Sequence, residues 1–339
     1  MGGPLNLPRS AAGQPGVAIV GCGLIGQKRA RALGTARLVV CVDSDLGRAQ
    51  ALAKTTAGAA ASADWREAVA RPDVDIVIVA TTNDALAPIT TAAVQAGKHV
   101  LVEKPAARSL AELEGVLAAA KAGLSLVRVG FNHRYHPALR KAREIFESGA
   151  LGEMMFVRGR YGHGGRIGYE KEWRANPEIS GGGELIDQGV HLIDLARWFL
   201  GEFVQVDGFA HTYFWQMPVD DNAFMTLRTS GGQTAFLHVS CTEWKNLFSL
   251  EIYGRDGKLH IEGLGGSYGV ERLTSYKMLP EMGPPDTTAW EYPGADRSWQ
   301  IEFDEFLEDI RAGRQPAAGL EAARAALTVV DAIQRPSGY

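Results

Sequence analysis

The sequence predicts a two-domain α/β protein: an N-terminal Rossmann domain with a doubly wound parallel sheet, then an α+β domain with a large, predominantly antiparallel open sheet. Three observations predict it. Over the first third of the chain, short apolar runs alternate with helical patterns, as buried parallel strands and their crossover helices do. The first of those runs breaks into Gly21-Cys22-Gly23-Leu24-Ile25-Gly26. Beyond about residue 150, β-rich runs follow one another across glycine turns instead of helices, the pattern of hairpins.

In chain order, residues 1–16 are rich in Gly and Pro with no apolar core, and read as a flexible lead-in and not as a secretory signal. A strand over 17–20 enters the glycine turn and a helix over 27–33 leaves it. A strand over 37–42, a helix over 46–55 and a short piece around Trp65 follow. The run 74–80 is the next strand, with a helix over 87–96, a strand over 100–102 and a helix over 110–122. The character changes near 126–131. Helices over 137–148 and after Gly181-Gly182-Gly183 are set among extended runs at 154–161, 203–214, 222–229, 233–241, 248–253 and 258–262. Ser230-Gly231-Gly232 and Asp256-Gly257 supply turns, and helices over 299–312 and 321–334 close the chain. The domains are therefore expected at 17–128, for the dinucleotide, and 129–339, for substrate binding and oligomerisation. The C-terminal helices are candidates to pack back on the first domain.

Composition bounds the function. The chain is 46% hydrophobic and 22% charged, as ordinary globular proteins are. No apolar run approaches the ~20 residues that cross a bilayer. Cys22, Cys41 and Cys241 are too few and too scattered for a disulfide framework or a metal knuckle, which suits a reducing cytoplasm. A net charge of −4 gives no concentrated basic face for nucleic acid.

The glycine turn lies between strand and helix, where its physics applies. Gly21 permits the tight turn, Gly23 lets the backbone approach a pyrophosphate, and Gly26 lets helix and strand pack closely. Leu24 and Ile25 open the helix whose free N–H groups face the phosphates. Asp43, 22 residues after Gly21, can take both ribose hydroxyls and would repel a 2′-phosphate, so NAD is expected over NADP. Arg48 nearby would soften that preference.

Two further motifs carry chemistry. Glu103-Lys104-Pro105 follows a strand whose carboxyl end would line the ligand crevice of a doubly wound sheet, where an ammonium can meet a substrate hydroxyl. In Gly183-Glu184-Leu185-Ile186-Asp187-Gln188-Gly189-Val190-His191, the aspartate and histidine stand four residues apart on a largely apolar helix, with Asp194 a further three on. A buried Asp–His pair is costly unless it faces a cleft or completes a polar network.

Taken together, these motifs resemble the Gfo/Idh/MocA family, named for glucose–fructose oxidoreductase, inositol dehydrogenase and a rhizopine-catabolism protein, over nearly the whole chain. The resemblance implies an NAD(P)-dependent oxidoreductase that moves a hydride between nicotinamide and a secondary hydroxyl or ketone of a sugar, sugar acid, nucleotide-sugar or inositol. It implies Lys104, Asp187 and His191 as the catalytic set. It places Thr81, Asn83, Glu103 and Lys104 beside the cofactor with the fingerprint residues, and it implies a homodimer or homotetramer. A histidine common three residues after the family's asparagine is Leu86 here. His191 is expected as general base, Asp187 to orient it or the substrate, and Lys104 to stabilise the developing alkoxide, with Lys104 as the alternative base.

From Arg128 to Arg174 ten Arg and Lys stand against five Glu. Arg174, Trp173 and Arg134 are the expected substrate contacts, Arg174 for an anionic substituent and Trp173 for stacking on a ring. An anionic sugar and a neutral ring both remain open. His133 and His136 form an H-x-x-H with no third ligand at metal spacing, and read as structural or substrate-contacting. Two other functions remain open: a hydrolase or epimerase that retains its NAD without net redox, and a non-catalytic dinucleotide sensor.

Overall fold

A computed structural model describes residues 13–339. Of the expected lead-in over 1–16, residues 1–12 lie outside the described residues. The chain divides into two compact units. The first holds the residues up to Phe131 with Trp299–Arg324, and the second holds Asn132–Ser298 with Ala325–Tyr339.

In the first unit, six strands lie in the order β3-β2-β1-β4-β5-β6, all parallel. They are β1 (Gly16–Val20), β2 (Arg37–Val42), β3 (Ala60–Ser62), β4 (Ile76–Val79), β5 (His99–Glu103) and β6 (Val127–Gly130). Strands buried on both faces need apolar side chains at every position, which is why β1, β4 and, after Arg37, β2 read as unbroken apolar runs. Helices α1 (Leu24–Arg31), α2 (Leu46–Ala53), α3 (Trp65–Ala70), α4 (Asn83–Gln95) and α5 (Leu110–Ala122) fill the connections. Asp45, Asp64 and Ser109 accept backbone N–H groups at the starts of α2, α3 and α5. One core joins Val17, Ile19, Ile76 and Ile78 of the sheet to Phe303, Phe306 and Ile310 of α9 (Ser298–Ala312). The strand order reverses between β1 and β4, the point where such sheets open a ligand crevice.

The second unit carries an eight-stranded sheet in the order β14-β13-β12-β11-β7-β10-β9-β8. Its strands are β7 (Met154–Gly162), β8 (Phe203–His211), β9 (Asn222–Thr229), β10 (Thr234–Ser240), β11 (Leu247–Gly254), β12 (Lys258–Glu262), β13 (Glu271–Lys277) and β14 (Asp286–Tyr292). Every neighbouring pair is antiparallel except β7 and β10, which run parallel. The unit also contains α6 (Pro137–Glu147), the short α7 (Pro177–Ser180), α8 (Val190–Leu200) and most of α10 (Leu320–Ser337).

One sheet face is apolar and buried. Met225, Leu227, Leu237, Val239, Leu250 and Ile252 line it, and Leu192 of α8 comes down at Gly159, where an added Cβ would stand 3.3 Å from its side chain. The alternate positions carry Phe209, Phe224, Arg158 and Phe236 on the other face. No helix among the described residues is long and apolar enough to cross a membrane.

The structure adds elements the sequence did not announce. β3 precedes the piece expected around Trp65, and β6 extends the parallel sheet where a change of character was expected. β13 and β14 were not expected because their Thr, Ser and Glu lack apolar alternation.

Candidate functional site

In the first unit, the glycine fingerprint divides its work. Gly21 has φ +95°, and a Cβ there would sit 2.3 Å from the Ala80 carbonyl oxygen. A Cβ on Gly26 would sit 1.9 Å from the Gly21 carbonyl oxygen. These two are demanded by the fold itself. Gly23, at the head of α1, has nothing within 4 Å of where its Cβ would be, so open space lies before the helix N–H groups. That cradle fits a pyrophosphate.

Asp43 follows β2 and is nearly buried. Its Oδ2 accepts the Cys22 N–H at 2.9 Å and its Oδ1 the Asp45 N–H at 2.9 Å, which fixes the carboxylate beside the glycine turn. Arg48 is 4.0 Å from Oδ1. Leu24 is exposed and Ile25 half-buried. Thr81 donates to the Thr82 carbonyl at 3.0 Å, buried Asn83 opens α4, and Leu86 is fully buried.

Half-buried Lys104 leaves the end of β5 through a cis Lys104–Pro105 bond, in a turn closed by the Ala106 N–H donating to the Glu103 carbonyl at 3.0 Å. Ala106 has φ +74°, a left-handed conformation that costs a non-glycine residue about 1–2 kcal/mol. The Glu103 carboxylate turns inward and accepts Arg29 Nε at 2.7 Å. Arg29 Nη1 meets Glu302 at 2.5 Å, and its guanidinium lies 4.5 Å over the Trp299 ring. Burial alone would lower the Arg29 pKa, but Glu103 and Glu302 outweigh it and raise it, while burial raises that of Glu302. Glu103, expected beside the cofactor, thus spends its carboxylate on a buried ion network.

In the second unit, Asp187 falls within a π-helical segment, Leu185–Gly189, that leads into α8. The i, i+4 and i+7 spacing of Asp187, His191 and Asp194 would put them on one face of a regular α-helix, and here Asp187 sits where the turn is wider. Each has its own neighbours. Asp187 Oδ2 accepts Arg174 Nε at 2.9 Å. Asp194 takes Arg134 in two bonds, Nε at 2.7 Å and Nη2 at 2.5 Å. His191 lies face to face with His133, ring centres 3.8 Å apart and planes at 19°. Arg134, expected at the substrate, is buried against Asp194 and 5.5 Å from the Trp198 ring. Arg174 is half-buried, with Trp173 4.6 Å from its guanidinium.

Arg174 joins a chain of alternating charge. Glu172 lies 3.9 Å from it and 2.7 Å from Arg166. The Asp187 carboxylate raises the Arg174 pKa. Around them stand side chains the sequence reading passed over. His163 Nδ1 accepts the Gly165 N–H at 3.0 Å, which leaves its proton on Nε2, 3.7 Å from Glu184. Burial lowers the His163 pKa and raises those of Tyr161 and Tyr169. His136, the other half of the H-x-x-H, pairs with Glu271 at 3.0 Å. Among the described residues no group of three His, Cys, Asp or Glu is placed to hold a metal ion.

Two consecutive buried acids hold this region in place. Asp220 accepts the Gly183 and Leu185 N–H groups at 3.0 and 2.7 Å, securing the start of the π segment. A Cβ on Gly183 would sit 1.9 Å from the Asp220 carbonyl oxygen, so only glycine fits. Burial pushes the Asp220 carboxyl up to about 6. Asp221 accepts the N–H groups of Tyr213, Phe214 and Trp215 at 2.7–3.1 Å. The available signal was an Asp-Asp-Asn run at the mouth of an apolar strand.

Comparison with known proteins supplies the wider context. Residues 16–131 match the oxidoreductase family with the NAD-binding Rossmann fold, and residues 139–260 match the GFO/IDH/MocA C-terminal domain. An inositol 2-dehydrogenase of Saccharopolyspora erythraea is 32% identical over 83% of this chain and 76% of its own. A levoglucosan dehydrogenase of Pseudarthrobacter phenanthrenivorans is 35% identical, over 50% of this chain but only 44% of its own length. A solved levoglucosan dehydrogenase, in complex with NADH and levoglucosan, shares the fold with a TM-score of 0.88, at 23% identity over 96% of this chain and 97% of its own.

Proposed function

The chain belongs to the Gfo/Idh/MocA family of NAD-binding oxidoreductases, and on that premise we propose that it oxidises a secondary hydroxyl of a neutral cyclic polyol or sugar. One observation carries the choice of substrate. The Arg174 guanidinium, the candidate for an anionic group, is already balanced by Asp187 and Glu172, and Arg166 by Glu172. A phosphate or carboxylate would have to displace these carboxylates, whereas hydroxyl groups can share them. Relatives named for inositol and levoglucosan, both neutral, agree with that reading.

NAD, when bound, supplies the hydride acceptor. Gly23 and the head of α1, in the turn that Gly21 and Gly26 shape, would hold its pyrophosphate, and Asp43 would take the ribose hydroxyls and repel a 2′-phosphate. His191 accepts the hydroxyl proton as general base. Asp187, steadied by Arg174, receives a substrate hydroxyl. Lys104 stabilises the alkoxide as it forms. The second unit's outward sheet face packs against another copy: Phe209 and Phe236 are half exposed there, and Phe224 stacks on Phe209 at 5.1 Å and on His238 at 4.3 Å.

The test is absorbance of reduced nicotinamide as purified protein meets NAD or NADP with inositols and with free, acidic and phosphorylated sugars. NADH formation with a neutral ring, abolished in His191→Ala while NAD still binds, is the expected result. Product without accumulating NADH would transfer the reading to an enzyme that retains its cofactor. Light scattering on Phe236→Asp checks the assembly, which should dissociate.

A further inference from the structure

His133 stands one ring from the proposed base and is held by a chain of directed hydrogen bonds. The Ser298 hydroxyl donates to the Asp296 carboxylate at 2.6 Å, so toward Asn132 it can only accept, which it does from Asn132 Nδ2 at 3.0 Å. The Asn132 carbonyl oxygen therefore faces His133 Nδ1 at 3.2 Å, and that nitrogen must carry a proton. Asn132, His133, Ser298 and His191 are all buried. Such a chain fixes the tautomer and the ring plane of His133 and, ending on a carboxylate, favours positive charge on it.

We propose that His133 is a positioning residue for His191: it holds the face of the His191 imidazole, takes the first proton of the stacked pair, and so keeps His191 neutral for alcohol oxidation. The inference rests on His191 being the base. Two imidazolium rings 3.8 Å apart repel strongly where little water screens them. The rings therefore titrate as a pair, with one proton held across a wide pH range. The groups facing His133 are consistent with a single charge. Tyr161 meets it edge-on at 5.1 Å with its phenol kept neutral by burial, and Tyr268 backs Tyr161. His136 is paired with Glu271, with Asp296 4.0 Å from its other nitrogen, and Asp187 precedes His191 by one turn.

Titration of the full chain with bound NAD and no substrate, followed by 15N-resolved NMR of the histidine rings, reads the pair without turnover. The wild type should show two steps more than about one pH unit apart, with neutral His133 protonated at Nδ1. His133→Phe keeps an aromatic face but no charge, and should leave His191 titrating in a single step. In kinetics with the best neutral ring, His133→Phe should move the acid limb of kcat/KM up by about one unit. Ser298→Ala, which cuts the chain away from both rings, should move it less in the same direction. His133→Ala, lacking the face, should lower kcat about tenfold further while KM changes less than about threefold.

Two independent single steps in the wild type, or an unmoved acid limb in His133→Phe, overturns the inference. Turnover surviving in His191→Ala removes the base assignment instead, and leaves the ring titration to be judged by itself.

Discussion

Each unit buries a polar network, and the two are built from different chemistry. In the first, Arg29 is enclosed by Glu103 and Glu302, and Arg128 by Asp309 with Glu305. An arginine stays charged at any working pH, so the cations at the centre of this network have one state. In the second, His133 stacks on His191, and the buried Asp220 that anchors the π segment has its carboxyl lifted to about 6, so that charge can change near neutrality. Burial is similar, so burial does not tell a scaffold from a site. The side chains' ability to exchange a proton does.

The sharpest way to break this contrast is Arg29→Met. It strips the cation from between two buried carboxylates, and the first unit should lose about 3–5 kcal/mol in denaturant unfolding. A loss under ~1 kcal/mol would mean that the carboxylates neutralise themselves and the network is not fixed in one state.

Next in size is the pH response of Asp220. Its folded pKa of about 6 exceeds the ordinary 3.8, so between those values the folded protein holds a proton the unfolded chain has released. The contribution to stability is full below about pH 4 and is lost as pH rises through 6, on the order of 3 kcal/mol across the window. Thermal unfolding of Asp220→Asn should lack that slope, at the cost of one misdirected N–H contact. An identical slope in both proteins would place the titration elsewhere.

Arg174→Ala comes third. Freeing Asp187 should lower kcat/KM by roughly tenfold to a hundredfold, the ~1.5–3 kcal/mol of a charged hydrogen bond, equally for neutral and anionic rings. Loss confined to anionic rings would restore Arg174 as an anion contact. Smallest is Arg255→Ala, which removes an exposed pair 3.4 Å from Glu153 and should change stability by under ~0.5 kcal/mol.

The sequence disclosed what is local. Alternating runs announced the parallel sheet, the glycine turn announced the cofactor cradle, and β2, α5, β9 and β12 fall at the residues expected of them. It concealed what depends on distant partners. Arg29 meets Glu302 across 273 residues, and Asn132 meets Ser298 across 166. The parallel pairing of β7 with β10 is hidden for the same reason, since the hairpin turns nearby speak only of antiparallel neighbours. Asp187 and His191 were legible as a pair, but the π turn between them was not, because a period of 3.6 was assumed where the backbone widens. Arg134 was expected at the substrate, and nothing local revealed its pairing with Asp194.

The adjacent anchors Asp220 and Asp221 have an evolutionary consequence. One grips the start of the π segment and its neighbour grips the backbone at 213–215, so the intervening loop is fastened at both ends by its own chain. Insertions or deletions over 216–218 can then accumulate while Asp187 keeps its place, whereas Val219, buried and bonded through its carbonyl to Thr212, belongs to the anchor.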